Sequence, residues 1–455
     1  MSLPASDTNK KADGLTTMQL GAVLPETAEV KAVEDESHLF IGGVDMVELA
    51  REQGTALYVF DEADLRHRMQ EFIRAFRSRY ENSDVLFASK AFMNKAAVRL
   101  ADKEGLCLDV SGGGELACAL AAGFPPEKIF MHGNNKTPQE LEEAISAGVG
   151  RIIVDSRIEL ARVSEIAGRL GKIQNIYMRI TPGVEADTHE YIRTGCEDSK
   201  FGFTMLEDFA FKCVKDALEA DNVLLKGLHC HIGSQIFALH SFGEAATVMV
   251  DFMARIRDEY DYIIEELDLG GGLGIAYTAQ DSPSTIDEFA EVTCDTVVKR
   301  CEEKIFPLPR LLVEPGRSLV ANAGVTLYTV GILKTLPNIR KFIAIDGGMS
   351  DNIRTALYHA DYEATIANKA DQPRTEIVTL CGKHCESGDA VVLDGSLQKA
   401  DIGDIVCVFG TGAYNATMAS NYNGQPRPAV VFVEDGKAHL VTRRETYEDL
   451  LARDL

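Results

Sequence analysis

The sequence predicts an α/β protein, a (β/α)8 barrel followed by an antiparallel β-sandwich or barrel domain that also takes in an N-terminal β segment. Three observations lead there. Eight short apolar strands alternate with helix-periodic segments from about residue 85 to 320. Each strand ends on a polar residue or a glycine. Beyond about residue 320 the helical segments give way to strands punctuated by Gly/Asp turns.

The eight strands are "VLFASK", "LCLDVS", "IFMHG", "RIIVDS", "NIYMRITP", "KGLHCHIGS", "LDLGGG" and "LLVEPG". Between them, segments such as "TPQELEEAISAG" and "SRIELARVSEIAGRL" repeat apolar residues at three and four. Thr137 and Ser156 are expected N-caps, each with an acidic residue three positions on. Eight β/α units in series specify a closed parallel barrel, with an open doubly wound sheet as the runner-up. The barrel is favoured because Lys90, Asp109, His132, Asp155, Arg179, His231, Gly270 to Gly272 and Glu314 all fall at or just past the C-terminal ends of their strands. In a barrel those ends share one face, where active sites are built.

The expected organisation is a polar, mobile tail over 1–37, an N-terminal β segment over 38–61, the barrel over 62–320 and the β domain over 321–455. "HLFIGGVDM" and "ALYVFDEADL" are expected to pair with the C-terminal strands, which include "VTLYTVGILKT", "KFIAIDGG", "EIVTLCG", "AVVLDG", "DIVCVFG", "AVVFVEDG" and "AHLVT".

Composition limits the partners. With 45% hydrophobic and 25% charged residues the chain reads as an ordinary globular protein, and a net charge of -24 disfavours nucleic acid and anionic membranes. No apolar run approaches the roughly 18 residues of a membrane helix. Ten cysteines without a repeating spacing, most within apolar runs, are expected as reduced core thiols in a cytoplasmic protein.

Five stretches carry chemistry. Lys90 in "LFASKAF" has apolar or small neighbours; a desolvated lysine is a Schiff-base nucleophile, whereas a strand-end lysine at the surface is not. "LDLGGGLG", with Gly271 and Gly272, exposes backbone N–H groups that can cradle a phosphate, or simply makes a tight turn. "VEPGRS" supplies Glu314, Gly316 and Arg317, the last suited to phosphate or carboxylate. In "HCHIGSQ", His229 and His231 lie two apart and precede Ser234; zinc needs a third ligand the sequence does not reveal, and a flat imidazole can instead stack on an aromatic cofactor. "CGKHCESGD" could be half a metal site, a disulfide or an acid-flanked thiol; partner ligands are lacking nearby and a reducing compartment opposes a disulfide. A lysine nucleophile, a phosphate cradle, a flat stacking group and a buried carboxylate are together what holds pyridoxal phosphate, the carboxylate keeping the pyridine nitrogen protonated. No metal is expected.

From about residue 38 onward the chain resembles the barrel-type (fold type III) pyridoxal-phosphate-dependent decarboxylases, and among them those acting on meso-diaminopimelate. The shared motifs are "FASKA", "DVSGGGELA", "HGNNKT", "TPGVEADTHEYIRTGCEDSKFGF", "GLHCHIGSQI", "LDLGGGLGI", "VEPGRSLVANAG", "CGKHCESGD" and "GAYNATMASNYN". The resemblance implies a carboxy-lyase that converts meso-2,6-diaminopimelate to lysine and carbon dioxide. It implies that Lys90 binds the cofactor covalently, His231 stacks on its ring and Glu314 meets the ring nitrogen. Ser234, Gly271, Gly272, Gly316, Arg317 and Tyr414 would hold the phosphate or line its pocket, Arg317 and Tyr414 also facing substrate. Arg354 and Tyr358 would hold the distal carboxylate, Cys385 would donate a proton and Glu386 would meet the distal ammonium. The resemblance further implies a homodimer in which Cys385 and Glu386 enter the site from the second subunit. One departure is Thr355, where the family usually has proline.

Three other functions remain to be weighed. A related decarboxylase of ornithine, lysine, arginine or carboxynorspermidine is opposed by Arg354 and "CESGD". An alanine-racemase-like enzyme is opposed by Glu314, and a non-catalytic cofactor carrier by the β domain.

Overall fold

The computed structural model describes residues 3–6, 10–184 and 199–455. It divides into two compact units, one of residues 68–274 and 283–318, the other of residues 1–67, 275–282 and 319–455.

The first unit is the barrel. Its strands are Ser83–Ala88, Cys107–Val110, Ile129–Met131, Arg151–Val154, Gln174–Thr181, Val223–His229, Glu266–Asp268 and Arg310–Val313. Each pairs in parallel with the next, and Arg310–Val313 returns to Ser83–Ala88 to close the ring. The helices start where their caps predict. The Thr137 hydroxyl accepts from Glu140 N–H in a reciprocal capping box, and the Ser156 side chain accepts from Glu159 N–H.

Inside the barrel Leu86, Cys107, Phe130, Ile153, Tyr177 and Leu312 form one buried cluster, with Phe130 and Tyr177 edge to face at 5.7 Å between centroids. The N-terminal mouth is plugged by charge. Arg151 donates to both oxygens of Glu266 at 2.9 and 2.7 Å, Tyr177 Oη–H donates to the same carboxylate, and Arg310 reaches Glu266 and Asp84. Burial alone would raise the Glu266 carboxyl, but the bonds from Arg151 and Tyr177 outweigh it and keep it ionised. Glu266→Ala strands the partly buried Arg151 guanidinium and the buried Tyr177 hydroxyl, so unfolding in urea should show a loss of about 2–3 kcal/mol. Cofactor absorbance per folded molecule should not change, because Glu266 begins its strand and the site lies at the other end.

In the second unit Gly324–Leu336 pairs with Leu57–Asp61, Arg340–Ile345 and Ile405–Val408, all antiparallel. The expectation of a purely antiparallel domain needs correcting, since two pairings are parallel: Arg340–Ile345 with Glu376–Cys381, and Leu57–Asp61 with Ala429–Glu434. The second arises because "ALYVFD", entering from the N-terminal side, fills the gap between Gly324–Leu336 and Ala429–Glu434. The expected segment "HLFIGG" forms its own antiparallel sheet of Glu29–Val33, Glu36–Ile41 and Val44–Asp45, tied to the domain by Leu39 N–H donating to Ala367 O at 2.8 Å.

The expected tail is largely not one. From Gly14 onward the chain is bonded and packed: Gly14 N–H donates to Arg374 O, Arg374 N–H donates to Leu15 O, and Asp13 pairs with the fully buried Arg374 guanidinium. Thr17–Val23 is a short 3-10 helix whose Leu20 and Val23, with Leu24, join the core of this unit. Polarity is confined to the first stretch; "LTTMQLGAVL" carries enough apolar area that exposing each large side chain would cost about 1.5–3 kcal/mol. The barrel boundary also differs, because residues 275–282 leave the barrel for the sheet unit.

Candidate active site

The C-terminal strand ends of the barrel bring titratable groups into one network. The short turn Ser89–Ala91 carries Lys90 just past the first strand, where Nζ donates to Asp109 Oδ2 at 3.2 Å. Of the two readings of Lys90 the turn gives the exposed strand-end one, since lifting the side chain past the strand leaves it 42% exposed and able to reach a reactant. Asp109 is buried at the end of the second strand, and His132 Nε2 lies 3.8 Å from its Oδ1.

Glu314 sits past the eighth strand with its carboxylate between two imidazoles. His229 Nε2 is 3.2 Å from Oε2 and His132 Nε2 is 2.7 Å from Oε1, the two rings meeting edge to face. Burial opposes charge on Glu314, but the two histidines hold it well below the usual carboxylate range. Burial also pushes His229 down to about 4, so at neutral pH it meets Glu314 as a neutral N–H donor. Burial, and then the Glu314 charge, push the Asp268 carboxyl on the neighbouring strand end well above the usual carboxylate range. Glu314 itself keeps a buried negative charge at the strand ends. That is what a protonated pyridine nitrogen would satisfy.

The strand Val223–His229 ends two residues before His231, so the two histidines are not on one strand. Gly271 N–H donates to His231 Nδ1 at 3.3 Å, leaving the proton of the neutral ring on Nε2. Desolvation first, then the Lys90 and Arg179 charges, hold this imidazole well below its ordinary range. The glycine run permits close backbone approach. A Cβ on Gly271 would meet Glu314 O at 2.1 Å, and Gly272, at φ +127°, would meet Gly233 O at 2.4 Å. Across from them Arg317 donates to Ser234 Oγ through Nη2 at 3.0 Å and Nε at 3.3 Å, and Gly316 packs against Ala88. Ser234 and Arg317 offer a hydroxyl and a guanidinium suited to an anion, and with Lys90, His231 and Glu314 the set fits pyridoxal phosphate. His132, His229 and Glu314 also offer three ligand atoms within 4.8 Å of one another, a set that does not include His231.

In the sheet unit Arg354 opens the helix Arg354–Tyr358 and is buried in an aromatic cage. Its guanidinium carbon lies 5.7, 5.4 and 5.5 Å from the ring centroids of Tyr277, Tyr358 and Tyr414, and Nε donates to Tyr362 Oη at 2.9 Å. No acidic side chain among the described residues pairs with it. Tyr277 and Tyr362 were not foreseen. Tyr277 comes from the excursion at 275–282, and Tyr362 follows the helix on an irregular segment, so neither shows a periodic signal. Tyr414 adopts φ +61°, strained for a residue with a Cβ and typical of functional loops. Thr355, where proline was expected, pins the helix instead: its hydroxyl donates to Val391 O at 2.7 Å. Cys385 is an exposed free thiol and Cys381 a separate, half-buried one, so they form no disulfide. Glu386 is half-buried. Part of the motif "TPGVEADTHEYIRTGCEDSKFGF", including Cys196, lies outside the described residues.

This barrel and its strand-end network define a pyridoxal-dependent decarboxylase: residues 63–321 match the family model "Pyridoxal-dependent decarboxylase, pyridoxal binding domain". Diaminopimelate decarboxylase of Bacillus subtilis (strain 168) is 48% identical over 418 residues, 92% of this chain and 95% of that protein. The enzyme of Bacillus methanolicus is 48% identical over 413 residues, 91% and 96% of the two chains. Among solved structures, diaminopimelate decarboxylase from M. jannaschii in complex with L-lysine superposes at TM-score 0.88 with 38% identity, covering 94% of this chain and 98% of that one. The chain belongs to the diaminopimelate decarboxylase family.

Proposed function

We propose that this enzyme removes the carboxylate at one α-carbon of meso-2,6-diaminopimelate, releasing lysine and carbon dioxide. The observation that carries the substrate assignment is Arg354, a caged cation with no acidic partner among the described residues. A buried cation among aromatic rings and a tyrosine hydroxyl still lacks an opposite charge, which a ligand carboxylate supplies. Ornithine, lysine and arginine have only the carboxylate that is lost; meso-diaminopimelate has a second one for Arg354. The M. jannaschii relative was solved with L-lysine, the product expected here.

Pyridoxal phosphate bound at the strand ends supplies an electron sink for the pair left when a bond to Cα breaks. Lys90 Nζ would hold its aldehyde carbon, His231 would lie on its ring, and Glu314 would keep its nitrogen protonated. Ser234, Gly271, Gly272, Gly316, Arg317 and Tyr414 would hold its phosphate or line its pocket, with Arg317 and Tyr414 also facing substrate. In this reading Tyr358 completes the distal carboxylate site beside Arg354, Glu386 receives the distal ammonium, and Cys385 delivers a proton to Cα. Cys385 and Glu386 are supplied by the second copy in a homodimer. No helix among the described residues is long and apolar enough to cross a membrane, and an acidic chain whose described cysteines are all free fits the cytoplasm.

Turnover of meso-diaminopimelate, lysine, ornithine and arginine, compared for wild type and Arg354→Gln, tests the assignment. The expected result is strong preference for meso-diaminopimelate and a KM for it raised roughly 10²-fold in the variant, as for loss of a charge-assisted pair of about 3 kcal/mol. Equal turnover of lysine or ornithine by the wild type refutes the assignment.

A further inference from the structure

His384 has no place in the chemistry above, yet it is one of the most tightly held side chains in the sheet unit. Its side chain is fully buried, and its Nδ1 lies 3.0 Å from Asp389 Oδ2. The same oxygen accepts His384 N–H at 2.9 Å, while Oδ1 accepts Met349 N–H at 2.7 Å. Asp389 leaves no room around itself, because a Cβ on Gly348 or Gly382 would meet its carboxylate at 2.5 or 2.3 Å. The imidazole lies parallel to Tyr422, with 5.8 Å between centroids and 6° between planes.

These contacts converge on the next residue. Cys385 N–H donates to Asn423 Oδ1 at 3.0 Å, one position beyond Tyr422. Glu386 O accepts Asp389 N–H at 3.1 Å, and Ser420 N–H donates to Ser350 O at 2.8 Å. Asn421 fastens the Tyr422 turn from behind, donating to Gln425 O and to Glu445. Three chain segments, 347–351, 382–389 and 420–425, are thereby knitted around an exposed thiol. A proton donor gains its rate from placement, and a misplacement of about 1 Å can cost roughly 10²-fold.

We propose that His384, clamped between Asp389 and Tyr422, is the positioning residue that fixes Cys385 for proton delivery. The proposal rests on the reading of Cys385 as the acid. The Nδ1–H bond to Asp389 joins the two ends of the "HCESGD" turn, so the thiol between them has one backbone setting. Ring stacking on Tyr422 aligns that turn with Asn423, which holds the Cys385 amide.

Three substitutions separate the hydrogen bond from the packing. His384→Ala removes both, His384→Phe keeps the flat ring without Nδ1–H, and His384→Asn places an N–H donor where Nδ1–H was. In the holoenzyme, Ala and Phe should lower kcat for meso-diaminopimelate at least 10-fold. KM and cofactor absorbance should stay within about 2-fold, and the alkylation rate of Cys385 by iodoacetamide should change. Asn should recover kcat to within about 3-fold of wild type, and adding His384→Ala to Cys385→Ala should lower kcat no further. Should the Ala variant fail to fold, Phe and Asn carry the comparison. Wild-type kcat in Phe, or an Asn variant no better than Phe, overturns the role of His384 while a loss in Cys385→Ala still supports the acid. Normal turnover in Cys385→Ala overturns both.

Discussion

Lys90→Ala should abolish the visible absorbance of the bound cofactor and reduce turnover by roughly 10⁴–10⁶-fold, as when a covalent group is lost from a site whose other parts remain. Lys90 occupies a turn of three residues just past its strand, partly exposed and with its tip at Asp109. Removing it leaves the Ser234–Arg317 pair and Glu314 in place, so the variant should still take up pyridoxal phosphate, though without the covalent link. Titration of the variant with the cofactor, followed by absorbance and by equilibrium dialysis, separates these two effects. An unchanged visible spectrum would refute the assignment.

Cys385→Ala is expected to keep the wild-type cofactor spectrum and lose roughly 10²–10⁴-fold in kcat, the usual contribution of a general acid. An ordinary thiol is protonated at neutral pH and has a proton to give. Mixing the Lys90→Ala and Cys385→Ala variants adds a geometric test. If each site combines a lysine from one copy with a cysteine from the other, random exchange of subunits restores about a quarter of wild-type sites. With exchange verified, an absence of recovery contradicts the shared site.

The barrel was legible because its strands are short apolar runs with a chemical marker at each end. Lys90, His231, Ser234, Arg317 and Glu314 all follow a strand by a residue or a few, a pattern a linear reading can see. The partners of Glu314 were less visible. His132 and His229 stood out as polar residues in apolar runs, but only closure of the ring places both beside one carboxylate. The cage around Arg354 was hidden for a different reason: Tyr277 reaches the sheet unit by an excursion from the barrel region, 77 residues before the arginine in sequence. Asp389 was invisible as an organiser because its acceptors serve Met349 and His384, on two separate loops. The expected tail was misjudged because the polarity of "MSLPASDTNKKADG" was extended over "LTTMQLGAVL", whose apolar residues the sheet unit buries.

The central claim is the reaction itself. Carbon dioxide and lysine released from meso-diaminopimelate, followed with and without added pyridoxal phosphate, test it most directly. The expected outcome is stoichiometric formation of both products, dependent on the cofactor and absent with lysine or ornithine as substrate. Cofactor-loaded protein that releases no carbon dioxide from meso-diaminopimelate, or that releases it equally from lysine, would contradict it.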